Sequence, residues 1–361
     1  MTKIQELALE GQSIWYDFIR RDMLVDGGLA DLVRAGIRGV TSNPSIFEKA
    51  IAGSDLYDAQ IAALGNATPE AVFDVLAIED IRAAADILSP VYVDTEGIDG
   101  YVSLEVSPRL AHDTAGTISN AKRLWAAVDR PNLLVKVPAT ADGIPAIESL
   151  TADGININAT LMFSLDDYEA VTHAYVAGAE RCDDPSTLAS VASFFVSRVD
   201  SYTDEALDRV GTPDALQRRG TMAIANAKLA YRRFQEIFEG DAFASLAAAG
   251  TRPQRALWAS TSTKNPKYRD VMYVEELIGP NTVNTAPPET IHAFEDHGKV
   301  ERDSLLRGVD AARDDIDALA RLGIDFDAIT TRLQVDGVNA FADAYEGLLL
   351  AIAEKQRGLT G

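Results

Sequence analysis

Eight short runs rich in β-branched, aromatic and other apolar residues recur along the chain, at 13–17, 36–41, 100–106, 133–137, 155–163, 188–196, 255–261 and 281–285. Longer stretches with helical periodicity separate them. Strands that alternate with helices pair in parallel, because each crossover helix carries the chain back to the end of the sheet at which the previous strand began. Eight such units fit an α/β fold of one kind, a closed (β/α)8 TIM barrel. A doubly wound open sheet is the alternative. However, no GxGxxG turn follows the first run, and no GxxxxGK[ST] phosphate loop occurs.

The connectors carry their own start signals. Asp113-Thr114 caps a helical pattern over 118–128, and Ser164 opens another over 165–179, with Asp167 three positions on. Thr212-Pro213 reads as a cap followed by a first-turn proline, opening a helical stretch that runs to Phe238. The connector over 201–253 exceeds what one crossover helix needs, so additional helices are expected there. The tail over 300–357 also reads as helices, ending in the apolar Leu348-Leu349-Leu350-Ala351-Ile352. It would cover the barrel or form a lid over its mouth. No linker, repeat or low-complexity segment interrupts the pattern, and a single domain over 1–361 is expected.

At 47% hydrophobic and 24% charged residues, the composition is that of a globular chain with ample core. The formal charge of −22 repels phosphate backbones, so nucleic acid is not an expected partner. A small anionic substrate would need a local basic pocket set against that field. Cys182 is the only cysteine, which excludes an internal disulfide and a thiolate metal cluster. The first 14 residues lack a signal-peptide core, and no apolar run approaches the roughly 20 residues that span a bilayer. A cytoplasmic protein without a membrane partner is expected, as a monomer or homodimer.

Lys136 stands alone in the apolar run Leu133-Leu134-Val135-Lys136-Val137-Pro138. An ammonium in a buried strand is costly unless it is paired or gives up its proton. A lysine that can be held neutral attacks carbonyls, which points to Schiff-base chemistry. The structural alternative is a lysine near the strand end whose charge reaches water.

Other runs carry polar faces. Asn156, Asn158 and Thr160 alternate with Ile155, Ile157 and Ala159, and Glu105 points away from the face of Val102, Leu104 and Val106. Asp17 closes the first run, and Asn43 follows the second. Each has a structural reading too. Glu105 could pair with Arg109 or Lys136, Asp17 could cap a turn, Asn43-Pro44 could start a helix, and Ser45 could cap it. Together they place a lysine, carboxylates, amides and hydroxyls at the ends of different strands, where barrel enzymes keep their catalytic groups. For phosphate, Ser193 with Arg198 follows the sixth run, and Ser262 and Lys264 lie in the hydroxyl-rich loop after the seventh. An ordinary serine/threonine turn is the alternative reading of that loop. His112, His173, His292 and His297 show no HxH or HExxH spacing, so no metal site is expected.

Five ordered segments, Gly39–Phe47, Val102–Leu110, Leu133–Thr140, Gly154–Ser164 and Ala192–Arg198, resemble the motifs of the transaldolase family. The likeness runs from about Ile14 to His297, and the Thr261-Ser262-Thr263-Lys264-Asn265-Pro266 run resembles the longer bacterial subgroup. The resemblance implies transfer of a three-carbon dihydroxyacetone unit between sugar phosphates, in the non-oxidative pentose phosphate pathway. The donor would be sedoheptulose 7-phosphate or fructose 6-phosphate, and the acceptor glyceraldehyde 3-phosphate or erythrose 4-phosphate. It implies Lys136 as the Schiff-base lysine, with no further cofactor. Glu105 and Asp17 would be the acid/base carboxylates, Glu105 acting through a water also held by Thr160. Asn43, Asn158 and Ser193 would bind donor hydroxyls, and Arg198, Ser262 and Lys264 the phosphate. Many members of that family carry arginine where Lys264 stands. Lysine neutralises phosphate without gripping it as a planar fork.

Three rivals share parts of this pattern. A fructose 6-phosphate aldolase would release free dihydroxyacetone; related aldolases typically place glutamine where Glu105 stands. A pyridoxal-phosphate barrel enzyme would also use a strand-end lysine. A non-catalytic sugar-phosphate-binding barrel would keep the scaffold without turnover.

Overall fold

The computed structural model describes residues 1–360, and in it eight parallel strands close into a barrel in sequence order. They are β1 (Gln12–Tyr16), β2 (Gly39–Val40), β3 (Tyr101–Glu105), β4 (Leu133–Pro138), β5 (Ile157–Met162), β6 (Ser190–Phe195), β7 (Arg255–Ala259) and β8 (Thr282–Ala286). β1 pairs with both β2 and β8, so no sheet edge is left open. With helices packed outside it, this is the expected (β/α)8 TIM barrel.

Alternation along the strands divides the core in two. Val102, Leu104, Val135, Val137, Ile157 and Ala159 bury against the surrounding helices. Trp15, Tyr101, Leu134, Val191, Leu257 and Val283 fill the lower lumen as a separate cluster. Gly39 leaves room for Trp15: a Cβ there would come within 2.6 Å of the indole ring. Each fully buried large side chain stabilises the fold by roughly 1.5–3 kcal/mol. The floor is closed by Arg255, which pairs with Asp99 at 3.0 Å and donates to Ser13 Oγ at 2.7 Å. The apolar lumen thus ends below the strands' C-terminal ends, where the polar residues begin.

Several boundaries differ from the sequence expectation, each for a local reason. β2 keeps two residues of 36–41, because Gly36, at φ 123°, terminates the helix Gly28–Ala35. β5 starts at Ile157, since Asn156 bridges loops at the barrel floor, donating to Pro131 O and accepting from Ala189 N. β7 stops at Ala259, where Ser260 turns into the left-handed region at φ 57°. β5 also shifts register against β6 between Ala159 and Met162, with Leu161 at φ 61°. Bulges of this kind re-aim side chains, and this one adjoins Thr160.

The helices Thr114–Val128 and Leu165–Ala179 start at the expected caps, with Asp113 accepting from Gly116 N and Ser164 from Asp167 N. The stretch expected to run unbroken to Phe238 is instead two helices, Pro213–Gln217 and Met222–Phe238, split where Gly220 takes φ 74°. The tail forms Val309–Arg321 and then Phe326–Thr360, a helix of 35 residues and so about 52 Å long. This C-terminal helix crosses the C-terminal mouth of the barrel. Gln334 Nε2 donates to Ala139 O and Leu161 O just beyond β4 and within β5, and Glu346 accepts both arms of Arg109. No helix among the described residues is long and apolar enough to cross a membrane.

Candidate active site

Register alone assembles the centre of the site. Glu105 on β3 is opposite Lys136 on β4, which is opposite Asn158 on β5. Paired residues of neighbouring strands point to the same side, so all three enter the lumen next to one another. Lys136 is 5% exposed. Its Nζ donates to Ser42 O at 3.1 Å and lies 3.5 Å from Glu105 Oε2, an ion-pair distance rather than a short hydrogen bond. Arg109, the other expected partner of Glu105, turns outward and pairs with Glu346 and Glu70.

Burial pushes the Glu105 carboxyl up to about 6, while the neighbouring Lys136 ammonium pulls the other way. Two buried oxygens at this centre, Glu105 Oε2 and Thr160 Oγ1, have no hydrogen-bond partner among the described residues.

Above the lysine lies a cavity of about 440 Å³. Of the residues expected in a site, Asp17, Asn43, Lys136, Thr160, Ser193, Arg198, Ser262 and Lys264 line it. Asp17 directly follows β1 and accepts from Thr41 Oγ1 at 2.6 Å. Because Thr41 gives its proton to Asp17, the 2.6 Å contact between Thr41 and Thr285 has Thr285 as donor. Burial raises the Asp17 carboxyl above its ordinary range, against the Thr41 hydrogen bond and the charge of Lys136. Asn43 caps the helix Pro44–Ala52 by accepting from Ile46 N at 3.0 Å, so Ser45 is not the cap. Its amide nitrogen donates no hydrogen bond among the described residues and is available to the cavity that Asn43 lines.

Two expected residues stand back from the cavity wall. Asn158 is fully buried, donating to Ser103 Oγ at 3.0 Å and accepting from Ser193 Oγ at 2.7 Å. It holds Ser193, which does line the wall. Glu105 borders an adjoining cavity of about 210 Å³ that runs between the helices following β2 and β3.

The mouth is cationic in a chain that is strongly acidic overall. Arg198 lies in the first turn of the helix Ser197–Val210, and Lys264 Nζ donates to Ser262 Oγ at 2.6 Å in the loop after β7. Neither cation has a carboxylate partner among the described residues at ion-pair distance. Local desolvation at the cavity and the nearby Arg198 lower the Lys264 ammonium, although the residue as a whole is exposed. Two like charges facing one cavity favour an anion there.

Sequence reasoning missed Phe341, whose ring lies 5.7 Å from Lys136 Nζ, and also Thr41, Thr285 and Lys49. Thr41 and Thr285 end strands already identified, so position could have found them. Phe341 carries no such signal: it belongs to a helix whose docking nothing local specifies.

A family model described as "Transaldolase/Fructose-6-phosphate aldolase" matches residues 14–352. A transaldolase from Frankia alni is 50% identical, over 99% of this chain and 98% of its own. Transaldolases from Thermobifida fusca and Thiobacillus denitrificans are 47% and 48% identical, each over 98% of this chain and covering 98% and 100% of their own lengths.

Proposed function

Because the chain belongs to the transaldolase/fructose-6-phosphate aldolase family, we propose that it is a transaldolase that moves a dihydroxyacetone unit through a Schiff base on Lys136. As a member of that family it is an enzyme, a transferase. The donor would be fructose 6-phosphate or sedoheptulose 7-phosphate, and the acceptor erythrose 4-phosphate or glyceraldehyde 3-phosphate. That assignment would place it in the non-oxidative pentose phosphate pathway, in the cytoplasm. The observation that carries the reading is the buried Lys136 amine beside the Glu105 carboxylate, at the base of a cavity with a cationic mouth.

The steps follow from the groups present. Lys136 first passes its proton to the neighbouring Glu105 carboxylate; the free amine attacks the ketose C2 carbonyl, and return of that proton as water leaves yields a protonated imine. A water held by Glu105 and Thr160 shuttles the protons of these steps, using the two buried oxygens that lack partners among the described residues. Asp17, facing the same cavity, takes the proton of the C4 hydroxyl. The C3–C4 bonding pair moves into the imine as an enamine, and the aldehyde phosphate leaves. The enamine then attacks the acceptor carbonyl, Asp17 returns its proton to the new hydroxyl, and water hydrolyses the product imine. Arg198, Ser262 and Lys264 hold the phosphate, while Asn43 and Ser193, the latter oriented by Asn158, hold donor hydroxyls.

Glyceraldehyde 3-phosphate release from fructose 6-phosphate, with and without erythrose 4-phosphate, tests this. Release that depends on the acceptor supports transfer. Equal release without it would make the protein a free aldolase. Borohydride with a ketose phosphate should fix a three-carbon unit on Lys136; labelling of another lysine, or none in active enzyme, overturns the assignment.

A further inference from the structure

The helix Ser197–Val210 carries Arg198 in its first turn and two carboxylates, Asp200 and Asp204, one turn apart on a common face. The two carboxylates are used in the same way. Asp200 Oδ1 accepts from Ala223 N at 2.8 Å and its Oδ2 from the phenol of Tyr273 at 2.7 Å. Asp204 Oδ1 accepts from Gly220 N at 2.9 Å and its Oδ2 from the phenol of Tyr268. Each therefore bridges two elements. One oxygen takes a backbone N–H from the long connector between β6 and β7, and the other takes a hydroxyl from the connection between β7 and β8.

That second connection also holds Ser262 and Lys264. Its root is tied to the same helix, with Ser197 N donating to Ser260 O at 3.1 Å and the two serine hydroxyls 3.0 Å apart. Lys264 thus lies on a segment anchored at both ends to the helix that carries Arg198. Gly220 is fitted to this arrangement: it takes φ 74°, and a Cβ there would stand 2.7 Å from the Tyr268 ring. Asp200 is 2% exposed and Tyr273 1%. Their charged hydrogen bond is dry and so stronger than a surface counterpart, while the bond from Tyr268 to Asp204 is partly buried.

We infer that Tyr268 and Tyr273, with Asp204 and Asp200, are positioning residues that set Lys264 against Arg198 for phosphate binding. The inference rests on the reading of Arg198 and Lys264 as phosphate ligands. Two cations held over one cavity repel each other until an anion arrives, so a loop free to relax would carry Lys264 away. The two carboxylates prevent that. They also give the long β6–β7 connector a role, since its Gly220 and Ala223 amides aim both carboxylates at the phenols.

Tyr268→Phe and the double variant Tyr268→Phe/Tyr273→Phe test this beside Arg198→Ala. Two readouts are needed: KM for fructose 6-phosphate with erythrose 4-phosphate as acceptor, and borohydride trapping of unphosphorylated dihydroxyacetone on Lys136. The expected result is a KM raised roughly tenfold in the double variant, and less in the single, with trapping unchanged. A merely structural role would lower trapping as well, and that outcome overturns the inference. So does a KM within twofold of the parent in both tyrosine variants when Arg198→Ala has raised it. If Arg198→Ala leaves KM unchanged, the phosphate reading itself fails and the inference with it. Should the double variant not fold, Tyr268→Phe, in a partly exposed loop, decides alone.

Discussion

The ring centroid of Phe341 lies 5.7 Å from Nζ of Lys136, although 205 positions separate the two in the chain. The C-terminal helix brings them together by crossing the barrel mouth. An aromatic face at that distance attracts a cation, and an apolar ring there would also displace water from the carbon held in the proposed Schiff base.

Phe341→Ala should therefore change the fate of the enamine more than its formation. Borohydride trapping on Lys136 should persist, while release of glyceraldehyde 3-phosphate without acceptor rises several-fold. Comparing acceptor-independent with acceptor-dependent release measures this, and an unchanged ratio would leave the ring without a protective role.

If Glu105 serves as the proposed base, it should set an acid limit to activity. Its carboxyl is pushed up to about 6 by burial, and only the ionised form can accept a proton. Below that pH, kcat/KM should fall about tenfold per unit, and above it should level off. Glu105→Gln should lower activity by roughly 10²- to 10⁴-fold and remove the limb near 6. A limb that survives the substitution belongs to another group.

Arg109 clasps the C-terminal helix through Glu346 and also pairs with Glu70, but all three side chains are close to half exposed. Surface pairs of this kind contribute about 0–1 kcal/mol after screening. A double-mutant cycle of Arg109→Ala with Glu346→Ala should give a coupling energy under about 1 kcal/mol that shrinks in added salt. A value above about 2 kcal/mol, independent of salt, would show that the clasp is held by more than exposed charge.

Two glycines that flank β4 and β5 should respond differently to alanine. At Gly143 a Cβ would sit 1.9 Å from Pro138 O at the end of the lysine strand, with no flexible side chain to yield. Gly143→Ala should cost about 3 kcal/mol or more and disturb Lys136. Gly154, at φ 77°, has open space where a methyl would stand, with nothing within 4 Å among the described residues, so Gly154→Ala should cost only about 1 kcal/mol of backbone strain. Chemical denaturation of both variants compares them directly; equal losses would mean that the Pro138 contact is relieved by backbone movement.

The polar positions on β3, β4 and β5 were legible because period-two alternation is a local property. Glu105 and Asn158 stand next to Lys136 once the strands pair in register. Two readings failed where one residue changed the backbone path. Gly220 splits the stretch that periodicity joined, and Gly36 leaves β2 with two residues. Asn43, not Ser45, became the cap because Pro44 occupies the first helical turn behind it.

The chain's own pattern of eight apolar runs and intervening helices was enough to specify a closed parallel barrel, and with it which strand ends carry lysine, carboxylate and amide. Those are short-range consequences of side-chain alternation and crossover geometry. Only the tertiary structure decided that Asn158 supports Ser193 from beneath rather than lining the cavity. It alone also paired Asp200 and Asp204 with Tyr273 and Tyr268, and laid Phe341 over Lys136. Such contacts join segments tens to hundreds of residues apart. Their geometry depends on how whole helices dock, which no local periodicity encodes.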